Sequence, residues 1–333
     1  MMSSRFSLTS VFEYYLRRIF TSSGLLLQTM EIDSQTTMSF WGPNPTNLIN
    51  SIQKPNLVLI HGFGPRSVWQ WGPQIKTLSP HFNLYVPDLI FFGNSTTKAS
   101  ERSTVFQAVS IGKLLEKLDV NNFSVMGTSY GGFVTYHMAR LFKDRVEKVI
   151  IASSALNKKA SDHQVLLEKA NVEKAEDVML PKNANQLRNL MRLAAFHQPP
   201  HLPDFLLNDF INFAFIENLE EKKQLMMEFD FGNDVNLNIS PLQQEVLLVW
   251  GDCDQIFPFK KAVELKKLLG DKAKLEVIKN TSHMPHGEDS KKFNDIVMKF
   301  LSADQLQTIF KKPKTIGSTI SNWVFLIFST LHS

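Results

Sequence analysis

The chain has 333 residues, of which 43% are hydrophobic and 20% charged, long enough for one large domain or for one domain carrying an insertion. A formal net charge of +4, with no basic block apart from Lys311, Lys312 and Lys314, argues against nucleic acid as a partner. The single cysteine, Cys253, excludes an intramolecular disulfide and a multi-cysteine zinc site and suits a reducing compartment.

Residues 1–28 form a first segment. It carries Arg5, Arg17 and Arg18 against one acid, Glu13, and reads as an amphipathic helix, with Val11, Tyr14, Tyr15 and Leu16 near helical spacing, or as a targeting segment. An uninterrupted apolar run of the secretory type is missing, so a cytoplasmic placement is expected, with an organelle or a membrane-peripheral one left open. From 29 to 156 the pattern alternates strand and helix. Thr29–Asp33 and Thr36–Trp41 read as a hairpin; Asn56–His61, Phe82–Pro87, Phe123–Met126 and Val146–Ala152 read as short apolar strands buried on both faces. Ser103–Leu118 is helical in period. This alternation predicts an α/β fold with a mostly parallel sheet and helices on both faces.

Over 157–238 the alternation stops and helix follows helix, rich in Phe. Strands resume at Glu245–Trp250 and Lys274–Ile278, separated by a helix over Pro258–Leu269, and a last helix spans Asp289–Leu301. The core is therefore expected over 29–156 and 239–302, with 157–238 inserted into it. Residues 303–333 form a tail whose apolar stretch, Trp323–Leu331, is too short for the ~20 residues of a bilayer span. A packing segment or peripheral membrane contact are its two readings.

The chemistry concentrates in four places. Gly127-Thr128-Ser129-Tyr130-Gly131 is a G-x-S-x-G between a strand and a helix, a turn that lifts a serine hydroxyl above the sheet edge. His61-Gly62-Phe63-Gly64 closes an earlier strand; the backbone N–H of Phe63, with that of Tyr130, would supply the fixed donors that a tetrahedral oxyanion needs. A serine hydroxyl also requires a base and an acid that orients it. His283, in the loop after the last strand, is the chosen base, with His286 as its nearest competitor; His61 reads as a structural hydrogen-bonding residue, and His197 and His201 belong to the insertion. In Trp250–Pro258 two aspartates compete for the acid: Asp254, which lies further into the loop, is preferred, and Asp252 more naturally caps the turn. No metal cluster or nucleotide loop stands at workable spacing, so neither a metal nor a cofactor is expected. The substrate-contacting residues are not legible.

With these motifs in hand, the chain resembles the α/β-hydrolase superfamily over about residues 30 to 302. The stretches that carry the likeness are LVLIHGFG at Leu57–Gly64, VPDLIFFGNS at Val86–Ser95, GTSYGG at Gly127–Gly132, WGDCDQIFP at Trp250–Pro258 and SHMPH at Ser282–His286. They are most similar to the capped serine-hydrolase branch, with its plant, monoacylglycerol-lipase-like and meta-cleavage enzymes. The resemblance implies eight strands with a helical cap between strands 6 and 7, Asp254 as the triad acid, and Asp88 as a residue that ties loops together. A serine at the elbow argues against epoxide hydrolase and haloalkane dehalogenase chemistry. The implied function is hydrolysis of a carboxylic ester, of lipid or monoacylglycerol type, through an acyl-enzyme on Ser129. Two alternatives stand beside it: a C–C bond hydrolase of the meta-cleavage type, and a hydrolase-fold ligand receptor with slow turnover.

Overall fold

The computed structural model describes residues 7–44, 54–198, 202–231 and 238–310. His201, the Lys311–Lys314 cluster and the Trp323–Leu331 stretch lie outside the described residues. One compact unit covers Met1–Met298, and a second covers Lys299–Ser333. The sheet and every residue chosen as a candidate for chemistry belong to the first unit.

The chain opens with helix α1 (Leu8–Ser22), whose first turn is capped by Ser7, its side chain accepting from the Ser10 N–H. A hairpin follows, β1 (Leu25–Glu31) and β2 (Thr36–Pro43), paired antiparallel. The sheet thus begins at Leu25, before the expected boundary at residue 29. Strand β3 (Asn56–Ile60) leads into α2 (Ser67–Leu78), then β4 (Asn83–Pro87) and the two-residue β5 (Thr96–Thr97), which pairs with β2. Next come α3 (Thr104–Lys117), β6 (Phe123–Thr128), α4 (Tyr130–Leu141) and β7 (Val146–Ala152). Ser103 caps α3 by accepting from the Phe106 N–H at 3.2 Å, where its short side chain replaces a missing intrahelical partner.

After β7 the chain leaves the sheet for α5 (Ala160–Ala170), α6 (Glu176–Met179), α7 (Ala184–Ala194), α8 (Asp204–Ala214) and α9 (Leu219–Phe231). It returns as β8 (Glu245–Gly251), α10 (Phe259–Leu269), β9 (Ala273–Ile278), the single turn α11 (Pro285–Glu288) and α12 (Ser290–Phe310).

The strands order as β1-β2-β4-β3-β6-β7-β8-β9, with β5 off this path. From β4 through β9 every neighbouring pair on the path is parallel, and β2 meets β4 antiparallel. Setting the two-residue β5 aside, eight strands form the path, and the helical insertion falls between the sixth and seventh. The continuous apolar runs explain the placement: all six residues of β6 are buried, as a strand covered by helices on both faces requires. Leu187, Leu207 and Leu225 of the insertion join the same apolar cluster as Val58, Val125 and Val149 of the sheet. One core therefore serves both.

The N-terminal segment is helical over Leu8–Ser22 and buries one face. Thr9, Glu13, Leu16 and Phe20 form the buried face of α1, whereas Val11, Tyr14 and Tyr15 are exposed. The glutamate is buried because partners await it: Glu13 accepts from Trp69 Nε1 at 2.7 Å and pairs with Arg66 at 3.3 Å and, one turn on in the same helix, with Arg17 at 2.7 Å.

Candidate active site

Ser129 stands between β6 and α4 with φ 52° and ψ −122°, backbone values that a non-glycine residue adopts only when its surroundings impose them. The neighbours that impose them are close. A Cβ on Gly131 would meet the carbonyl oxygens of Ile60 and His61, so the residue two past the serine has to be glycine for α4 to seat against β3. The turn is held by the Ser129 N–H donating to Ala152 O at 2.9 Å. The result is a half-buried serine over the ends of the parallel strands, where ligand sites of open α/β sheets gather.

His283 reaches this serine from the loop after β9. Its Nε2 lies 2.9 Å from Ser129 Oγ, and its Nδ1 lies 3.0 Å from Asp254 Oδ2. With a carboxylate at Nδ1 the ring proton sits there, and Nε2 is left to accept from the serine hydroxyl. Asp254 follows β8 and is itself oriented: its Oδ1 accepts the N–H groups of Ile256 and Phe257, both at 2.9 Å. Both Asp254 and His283 are buried, and the Phe257 ring stands edge-on to the imidazole at 5.5 Å. The three residues chosen from sequence are thus brought into one hydrogen-bonded line.

The competitors go elsewhere. Asp252 accepts from the Asn280 N–H at 2.8 Å and faces Lys279 at 3.6 Å, tying the β8 and β9 loops. His286 packs on Trp71 and Phe293, where burial first, and the neighbouring His283 second, hold its imidazole down at about 4. His61 is also kept neutral by burial; its Nε2 accepts from the Leu89 N–H at 2.9 Å, and Nδ1 donates to Gly62 O at 2.8 Å. Asp88 ties loops together, accepting from Ser39 Oγ at 2.8 Å and from the Ser67 N–H and hydroxyl at 3.0 and 2.6 Å.

Phe63 and Tyr130 flank the serine. Tyr130 is the first residue of α4, and Gly62 lies so near that a Cβ there would stand 3.1 Å from Ser129 Cβ. The Phe63 and Tyr130 rings meet edge-on at 5.9 Å. A pocket opens at Ser129, with Phe63, Leu166, Met179, Met226, Phe229 and Phe257 among its walls. Lys158 also lines it, its ammonium 3.3 Å from the centroid of the Phe229 ring.

One residue with a bearing on the site escaped the sequence. Glu288, at the end of α11, accepts the Ser282 N–H at 2.7 Å through Oε1, and the Phe196 and His197 N–H groups at 2.6 and 3.3 Å through Oε2. Alongside, the His283 N–H donates to Ala194 O at 3.1 Å and Ser282 Oγ to Leu193 O at 3.1 Å. The histidine loop is therefore stitched to the end of α7. No local pattern in the sequence points across that distance.

Comparison with known proteins returns the same architecture. The family model for the alpha/beta hydrolase fold matches residues 55–290. A dihydrolipoyllysine-residue acetyltransferase component of an acetoin cleaving system from Pseudomonas putida is 27% identical over 74% of this chain, and the chain spans 63% of that relative's length. Human monoacylglycerol lipase ABHD6 is 22% identical, with 75% of this chain and 76% of the relative aligned. A crystal structure of a membrane phospholipase A, a bacterial virulence factor, superposes with a TM-score of 0.74 at 19% identity, covering 89% of this chain and 92% of the other.

Proposed function

The chain belongs to the α/β-hydrolase fold family, and on that premise we propose that it is a serine hydrolase that cleaves carboxylic esters with an apolar acyl group. The observation that carries the reading is the line from Ser129 Oγ through His283 to Asp254, with steps of 2.9 and 3.0 Å. Its chemistry follows from the atoms. His283 Nε2 takes the hydroxyl proton as Ser129 Oγ attacks the ester carbonyl, and Asp254 stabilises the imidazolium that forms. The carbonyl oxygen becomes an oxyanion held by the N–H groups of Phe63 and Tyr130. Collapse expels the alcohol, which receives the proton from His283, and leaves Ser129 acylated. Water then attacks the acyl-enzyme with His283 as base, and the serine hydroxyl is restored.

The apolar walls of the pocket favour an acyl chain over a charged or sugar-like group, and the likeness to a monoacylglycerol lipase supports a lipid-type ester. The test is turnover of p-nitrophenyl esters of increasing acyl length by the wild type and by Ser129→Ala. Turnover with an optimum in chain length, reduced by ~10³-fold or more in the variant, is expected. A wild type as inert as the variant on every chain length overturns the esterase reading.

A further inference from the structure

Helix α1 buries one face and leaves an apolar stripe about half exposed on another. Thr9, Glu13, Leu16 and Phe20 point inward. Leu8, Val11, Phe12 and Tyr15 recur at i, i+3, i+4 and i+7, the spacing of a single helical stripe, and are about half exposed, at 46%, 52%, 50% and 54%. The helix cannot roll to hide them. Its inner face is fixed by the Glu13 bonds to Trp69 and Arg66, and its first turn by Asp209 of α8, which accepts from Ser7 Oγ and the Thr9 N–H, both at 3.0 Å.

The stripe continues onto a second element. Phe205 precedes Asp209 by one helical turn on the same face of α8 and is 66% exposed. Charge then narrows the occupant. The one acid of α1, Glu13, is turned inward and buried, while Arg18 is exposed beside the stripe, with its guanidinium 3.4 Å from the Tyr14 hydroxyl. A helix with Phe and Leu on one strip, tyrosine hydroxyls at its border and arginine beyond has the order of groups that a lipid interface takes: acyl region, carbonyl level, phosphate. A second copy of the chain fits less well, because a twofold axis through the stripe sets the two Arg18 side chains near each other with no exposed acid on α1 to oppose them, and Asp204, beside Phe205, is already paired with Arg188.

We propose that the outer face of α1, extended by Phe205, docks the protein on an anionic phospholipid surface. Docking there would bring the insertion between β7 and β8, which supplies Met226 and Phe229 to the Ser129 pocket, close to the lipid. Substrate delivery from the membrane rests on the esterase reading; the docking itself does not.

The experiment uses the full chain and co-sedimentation with vesicles of phosphatidylcholine alone and of phosphatidylcholine with about a third phosphatidylserine. The combined substitution Leu8→Ser, Val11→Ser, Tyr15→Ser leaves the inner face and the Phe12–Trp69 ring contact untouched. Expected are partitioning at least tenfold stronger onto the anionic vesicles, a tenfold or greater loss in the triple variant, and a large loss in Arg18→Glu. Far-UV circular dichroism and turnover of a short soluble ester should stay at wild-type values in the triple variant, and Ser129→Ala should bind as the wild type does. A wild type that binds neither vesicle, or a triple variant that binds as well as the wild type, overturns the proposal. So does light scattering that shows a wild-type dimer lost in the triple variant, since the stripe would then belong to a second copy.

Discussion

Gly131 is the residue on which the geometry around Ser129 depends most directly. Its Cα approaches the backbone of β3 so closely that a methyl group would lie 2.4 Å from Ile60 O and 2.5 Å from His61 O. Backbone cannot give way as a flexible side chain can. Gly131→Ala is therefore expected to destabilise the fold by about 2–4 kcal/mol, within the range of overpacked or strained buried positions, and to displace Ser129 from His283. Urea unfolding and ester turnover would both register it; a variant with wild-type values in each would show that the contact is dispensable. The same residue explains what sequence made legible. Ser129, Asp254 and His283 each sit at the end of a strand read directly from its apolar run, so the strand pattern also located the loops. Glu288 was not legible, because two of the three groups it binds, the N–H groups of Phe196 and His197, stand in a different part of the chain and meet it only through the fold.

Among the elements, the link between α7 and the histidine loop has the clearest consequence. The Glu288 carboxylate accepts three N–H groups, one from the His283 loop and two from the residues just after α7. In Glu288→Gln one oxygen becomes an NH2 group, which cannot accept, and at least one of those N–H groups loses its partner. A stability loss of about 1–3 kcal/mol is expected. A fall in kcat of roughly ten- to a hundredfold should accompany it, bounded by the cost of misplacing a reacting group by about 1 Å. Steady-state kinetics separates the two readings: a change in KM alone would mean that the link shapes the pocket without positioning His283. Helix α1 shows why element faces were harder to read than elements. Its helical period was plain, but choosing its buried face needed the knowledge that Arg66 and Trp69 await Glu13. A solitary buried glutamate is improbable by composition and reasonable only in the company of those partners.

For the whole molecule, buried histidines are expected to shape the response to acid. Burial, with Arg140 as the second cause, holds His137 at about 4, as burial and His283 hold His286 at about 4. Both fall below the ordinary unfolded value of 6.5. As pH drops below 6.5 the unfolded chain takes up protons that the folded chain refuses, so stability is full above 6.5 and falls towards 4. Each histidine contributes a slope of up to ~1.4 kcal/mol per pH unit in that window. Urea unfolding at intervals from pH 7 to 4 should show the decline, and His286→Phe, which keeps an aromatic ring against Trp71, should flatten it by about one such slope. An unchanged slope in the variant would mean that other groups govern the acid limb.

Strands β7 and β8 lie side by side, with Lys148 opposite Glu245 and Ala152 opposite Val249. The chain therefore departs for its helical excursion and comes back to adjacent berths in the sheet, and the sheet registers only that the two ends are neighbours. Closing a longer or shorter excursion changes the entropy slowly, by about 0.6 kcal/mol for each doubling of length. The scaffold that aligns Ser129 with His283 can in this way host a roof of a different length, provided that it covers the apolar surface that Leu187, Leu207 and Leu225 cover now. Besides that apolar cover, a transplanted roof would have to reproduce an acceptor for the His283 N–H where Ala194 O stands, one for Ser282 Oγ where Leu193 O stands, a pair of N–H groups for Glu288, and a carboxylate for the first turn of α1 where Asp209 stands.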